Sequence, residues 1–181
     1  MRGGFARLAE QLVLEGKNDK AVEVLDRVME ELPLSQLPHN YQSFPLIDAY
    51  YMAGATDKGD ALARHFAHDI TQKLYYYFTF PDNKQDYITD ELLDEFKYLE
   101  HLTYSLLLPN DRMELVAECD KSLEIAELFL GMTRNEQGTP ESNITPVHDG
   151  TRDEFLDSIE GIFIVPAEAE VETVINPSYN E

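Results

Sequence analysis

The chain has 181 residues and one cysteine, and sets 14 Lys and Arg against 35 Asp and Glu for a formal net charge of −21. Charge this negative repels nucleic-acid phosphates and anionic lipid headgroups and favours basic partners. The lone thiol excludes an internal disulfide framework, and no apolar run approaches the ~20 residues needed to span a bilayer.

In chain order, Phe5, Leu8 and Leu12 recur at helical spacing until Gly16 interrupts. Asn18 is placed to cap a second helix, whose stripe is Ala21, Val24, Leu25 and Val28, ended by Pro33. Two short helices joined by a tight turn make an αα-hairpin. The pattern returns 38 residues later, where Gly54, Thr56 and Asp57 align with Gly16, Asn18 and Asp19. The second pair opens near Ser43 with Pro45 in its first turn, and carries Leu46, Ile47, Tyr50 and Tyr51. Its second helix runs from Asp57 toward Tyr77. The aspartates stand where a carboxylate meets the positive end of the helix dipole.

A third pair is expected without a repeat signature. Thr89 is placed to cap a helix bearing Leu92, Leu93, Phe96, Leu99, Leu102, Leu106 and Leu107, ended by Pro109. Asp111, with Glu114 three residues on, reads as the start of the next helix. That helix carries Leu115, Cys119, Leu123, Ala126 and Leu130 and stops at Gly131. Residues 133–181 hold eleven acidic and two basic residues and four prolines. They read as an acidic, mostly irregular tail or linker. One short apolar run interrupts them, Gly161 to Val165, which docks as an extended segment or pairs as a strand with Val171 to Ile175. The expected fold is all-α, with about three helix pairs over 1–132 and the tail over 133–181.

Phe5, Leu8, Ala9, Leu12, Ala21, Leu25, Val28 and Pro33 fall in a register that resembles the tetratricopeptide repeat. Val28 and Leu12 depart from its usual residues. In the second pair Tyr50 fits, while Gly59, Ala63 and Phe66 do not follow the size pattern. The resemblance covers residues 2–66. It implies a concave binding face lined by first helices, presenting Ala6, Glu10, Val13 and Leu14, then Phe44, Asp48, Tyr51 and Met52. Aromatic and Met groups beside a carboxylate suit an apolar peptide with a basic residue. Burial of the same side chains under a neighbouring helix or under the C-terminal segment is the competing reading.

Phe5 to Glu10, Gly16 to Ala21, Val24 to Arg27, Ala49 to Gly54 and Leu74 to Phe78 are also similar to the soluble C-terminal region of multi-spanning Bacteroidetes membrane proteins that resemble protein O-mannosyltransferases. That likeness implies an accessory domain of a longer polypeptide on the extracytoplasmic face of the inner membrane. A free-standing chain would be a cytoplasmic adaptor instead. Asp157-Ser158-Ile159 resembles a short O-glycosylation site of exported Bacteroidetes proteins, and Asn143-Ile144-Thr145 an N-glycosylation site, patterns short enough to arise by chance.

The sequence carries little catalytic chemistry. No phosphate-cradling Gly loop, Gly-x-Ser-x-Gly elbow or His-Glu-x-x-His helix occurs. Cys119 stands between Glu118 and Asp120, which raise a thiol pKa, so a buried structural cysteine is expected. His65 and His68, with Asp69, share a helix face and form the best metal candidate. No third or fourth ligand is identifiable, so no metal or cofactor is assigned. His101 beside Glu100 is judged in the same way. Glu30-Glu31, Asp90-Glu91 and Asp94-Glu95 read as solvated helix faces rather than acid/base couples. The run Tyr75 to Phe80 offers an aromatic platform, or packing between repeats, and packing is preferred. The function expected is a non-catalytic interaction or bracing module. Its partner is a protein or peptide, with basic character favoured, or the membrane portion of its own parent chain; nucleic acid and direct membrane insertion are excluded. The rival is a small metal- or carbohydrate-binding enzyme using His65, His68 and nearby carboxylates.

Overall fold

A computed structural model of the chain describes residues 2–34, 38–79, 89–130, 132–134 and 140–142. The described chain is helical, as expected. Helix α1 spans Arg2–Leu14, α2 Asn18–Glu31, α3 Ser43–Met52 and α4 Thr56–Phe78. Helix α5, Thr89–Glu100, continues into a π-helical stretch, His101–Leu107, and α6 spans Met113–Leu130. Two three-residue strands follow, β1 (Met132–Arg134) and β2 (Pro140–Ser142), paired antiparallel with Met132 opposite Ser142. Neither strand was expected, and the expected boundary at 132/133 falls inside β1. The Gly161 to Val165 run, both glycosylation-like patterns, Phe80 and Gly131 lie outside the described residues.

Each helix pair is set by the same turn. Gly16 and Gly54 adopt φ of 72° and 79°, a left-handed conformation that costs glycine nothing. Gly16 N–H donates to Val13 O and Lys17 N–H to Leu12 O, both at 2.8 Å. Gly54 N–H donates to Tyr51 O and Ala55 N–H to Tyr50 O, both at 2.9 Å. This double bond pattern is the Schellman helix stop, which satisfies two otherwise orphaned carbonyls. The turn leaves one residue between the glycine and the next helix, so Lys17 and Ala55 take the N-cap positions. Neither makes a side-chain cap bond. Asn18 and Thr56 are therefore first helical residues and not caps, which corrects the sequence reading; Asp19 and Asp57 keep their first-turn places. Similarly, α5 begins at Thr89 itself.

The third pair uses the same device with a different residue. Asp111 has φ of 62°. Its N–H donates to Leu108 O at 3.1 Å, and Arg112 N–H donates to Leu107 O at 3.0 Å. Asp111 is thus the left-handed stop of the preceding helix, not the start of α6, which begins at Met113. Aspartate is one of the few non-glycine residues that visit this region readily.

The helices pack in chain order. Helix α1 lies against α2 and α3, α3 against α2 and α4, α4 against α5 and α6, and α6 against α5 and the π stretch. One continuous core results, in which Leu25, Leu46, Ile47, Tyr50, Phe66, Phe78 and Phe96 are sealed from solvent. A fully buried side chain of this size contributes about 1.5–3 kcal/mol. Phe78 packs against Phe129 with tilted rings, centroids 4.1 Å apart, while Tyr76 of the same aromatic run is exposed. In α1 the buried arc is Ala6 and Ala9, with Phe5 and Leu8 exposed at 41% and 48%. Phe5 and Leu8 of the expected stripe therefore lie off the packed face, while Leu12 is half-buried against the core. Small residues let α1 approach its neighbours closely, and that requirement outranks the larger apolar area of the stripe.

Polar contacts join the pairs. Asp26 on α2 accepts the Tyr50 hydroxyl of α3 at 3.1 Å and the Lys58 ammonium of α4 at 2.6 Å. Burial first, and then the Asp26 charge, push the Tyr50 phenol well above its ordinary pKa. Asp60 on α4 accepts the Tyr51 hydroxyl at 2.8 Å and faces Arg112, beyond the third turn, at 3.5 Å.

Two outcomes follow. Asp111→Gly should raise stability by about 0.5–1 kcal/mol in urea melts by relieving a left-handed non-glycine, with Asp111→Ala lowering it. Asp26→Ala strands a buried hydroxyl and removes the partner of Lys58, and should cost about 1–3 kcal/mol in the same assay.

Candidate functional site

The residues implied as a concave face occupy unlike places. Glu10 lines a cleft of ≈ 480 Å³ with Gly3, Arg7, Tyr41, Gln42 and Pro45. Leu14 and Met52, both the last residues of their helices, are 72% and 41% exposed. Val13 is half-buried against the core. Asp48 is half-buried, and burial raises its pKa. Phe44 is held on three sides, 5.0 Å from Phe66, 6.0 Å from Tyr98 and 4.6 Å from His101. Tyr51 lies over Gly59, where an added Cβ would fall 2.6 Å from its ring. Its hydroxyl is engaged by Asp60. Glu10, Leu14 and Met52 are thus the outward-facing members, while Phe44 and Tyr51 are engaged inside the fold. Ala6, fully buried, presents nothing.

A second cluster lies where α4 meets the segment leading into α3. His65 groups here with His39 and Asp69 rather than with His68. Its Nδ1 lies 2.9 Å from Nε2 of His39, a residue 26 positions earlier. Nδ1 of His39 lies 2.8 Å from Ser43 Oγ in the first turn of α3. His39 is 5% exposed and stacks on Phe66, with ring centroids 4.8 Å apart. Asp69, one helical turn beyond His65, places Oδ1 3.7 Å from His65 Nδ1. Burial is the main cause that pushes the His39 imidazole down to about 2; His65, Arg2 and Lys73 add to it. His39 is therefore neutral at ordinary pH, with one N–H and one lone pair. If its Nδ1–H is donated to Ser43 Oγ, Nε2 presents that lone pair toward His65. Further along α4, Lys73 donates to buried Glu95 on α5 at 2.8 Å.

Comparison of the chain with protein-family models, curated proteins and solved structures finds no match.

Sequence reasoning singled out His65 and Asp69 but not His39. His39 follows Pro38 in a stretch without helical period, and only the tertiary fold brings it to α4. No local spacing signals a contact of that range.

Cys119 does not enter either cluster. It is 4% exposed, and burial, with Glu118 and Asp120 adding to it, pushes its thiol up to about 12 against a Thr103 contact that lowers it. This agrees with a structural cysteine. A raised thiol pKa contributes stability that is complete below the unfolded value near 9 and is lost as pH rises toward 12. Iodoacetamide at pH 8.5 should accordingly label the folded chain slowly, at a rate that rises with denaturant through the unfolding transition. Fast labelling without denaturant would place the thiol at the surface.

Proposed function

We propose that this chain is a non-catalytic recognition or bracing module built of tetratricopeptide-like αα-hairpins. The observation that carries the reading is the recurrence of one helix-stop geometry at Gly16, Gly54 and Asp111, with the helices stacked in chain order. Repeats so built present extended surfaces rather than enclosed pockets. The surface offered is the cleft along α1, where a 61%-exposed Tyr41 stands beside Glu10. Leu14 and Met52 are exposed apolar side chains at the C-terminal ends of α1 and α3. Tyrosine supplies a rigid amphipathic contact and the carboxylate a charge partner, so a basic segment of a protein suits it. The net charge of −21 steers such a segment inward from a distance.

The setting we propose is a soluble accessory domain of a membrane glycosyltransferase-like protein, with the parent's membrane portion among its partners. In keeping with this, no helix among the described residues is long and apolar enough to cross a membrane.

The binding surface is tested by capture from lysate of the source organism, comparing the natural chain with Glu10→Lys and Tyr41→Ala. Retention of a partner should fall at least tenfold in each, with helicity unchanged by circular dichroism and with weakening as salt is raised. Equal capture by all three chains would remove the cleft from the function.

A further inference from the structure

We propose that His39 Nε2, His65 Nδ1 and a carboxylate oxygen of Asp69 form a binding site for one divalent transition-metal ion, zinc being the plainest occupant. The three donor atoms lie within 4.8 Å of one another. Zinc bonded to nitrogen and oxygen at its usual lengths in tetrahedral geometry holds its ligand atoms about 3.3 Å apart. Two of the spacings, 2.9 Å between the imidazoles and 3.7 Å from His65 to Asp69, lie on either side of that value. Occupation needs the two rings to part slightly and the carboxylate to close in on both of them. Asp69 and His65 share α4, so the second adjustment is a side-chain rotation.

The surroundings suit a ligand set. With Ser43 Oγ accepting the Nδ1–H of His39, one of the two tautomers that the 2.8 Å contact allows, Nε2 presents its lone pair to the ion. Metal-bound histidines are commonly held in this way by an outer oxygen. The stack on Phe66 fixes the plane of the ring. In that tautomer, without an ion, His65 Nδ1 carries the proton that bridges to His39. On metal binding that proton passes through solvent to His65 Nε2, so the imidazole stays neutral and no net proton is released. Two neutral nitrogens and one carboxylate leave the complex with a charge of +1. Two cations face His39. Lys73 is balanced by Glu95 at 2.8 Å, and Arg2 is directed to the Leu32 carbonyl. His39 and His65 are both well covered, whereas the Asp69 side chain is 28% exposed, so a fourth position is left on its side for water. Two nitrogens with one oxygen select a borderline-soft ion such as zinc over calcium or magnesium.

The site joins the segment entering α3 to the middle of α4. Its occupation therefore staples the second helix pair, a role distinct from binding at the α1 cleft. Tests use the full chain freed of any histidine tag. Titration with zinc chloride followed by calorimetry should give one ion per chain. Zinc should also raise the thermal midpoint of the natural chain. His39→Gln and Asp69→Asn should each abolish the stoichiometric binding and the midpoint rise, and His101→Gln should keep both. If His39→Gln fails to fold, Asp69→Asn, a near-isosteric change at a half-exposed position, decides alone. Absence of one-to-one zinc binding by the natural chain would overturn the proposal. Zinc binding undiminished in the folded Asp69→Asn or His39→Gln chain would overturn it equally, leaving the imidazole pair a plain hydrogen bond.

Discussion

Everything in this fold hangs on three residues that turn the backbone left-handed. At Gly16, Gly54 and Asp111 the chain reverses within two residues, and the turn's own hydrogen bonds close off the helix just ended. So short a reversal gives the next helix no direction but back along the first. The apolar faces must then find partners in the neighbouring pair, because one hairpin cannot bury its own. The order of packing follows from local geometry before any long-range contact is counted. This also keeps contacts close in sequence, which favours fast folding.

Stacking alone would not fix the offset between pairs, and the polar contacts supply it. Asp26 accepts from two different helices of the second pair, while Asp60 joins that pair to the third turn through Arg112. Both carboxylates are about a quarter exposed. They keep partial hydration, so their desolvation cost stays below that of a sealed ion pair. Their geometry nevertheless specifies one alignment. Gly59 adds a steric condition to the same region, since the Tyr51 ring that reaches Asp60 occupies the space of an absent Cβ.

How far the sequence was legible follows from the same physics. Gly16 and Gly54 could be read because glycine 38 residues apart, each followed by an acidic first turn, has few other meanings. Asp111 was misread because aspartate serves both a helix start and a left-handed stop, and Glu114 completed the look of a capping box. The α1 stripe was misjudged at Phe5 and Leu8, though not at Leu12, because periodicity weighs apolar area, whereas the first helix packs by closeness of approach through Ala6 and Ala9. The helices are legible wherever the determining interaction is within about five residues. The site is not: His65 and Asp69 are a turn apart and could be seen, but His39 enters only through the fold.

The placement of His39 shows why a histidine is stable in that position at all. A sealed imidazole needs both nitrogens satisfied, and here Ser43 serves one and His65 the other. Protonation of both rings would break that arrangement, since two donors would then face each other across 2.9 Å. The pair is therefore compatible with a shared proton or a shared metal ion, but not with two protonated rings. Asp69, whose Oδ1 lies 3.7 Å from His65 Nδ1, supplies the negative charge that a cation held by two neutral rings would need within reach. The net charge of −21 draws cations to the surface in general, whereas two nitrogen donors beside a partly covered carboxylate favour a borderline-soft cation over a hard one.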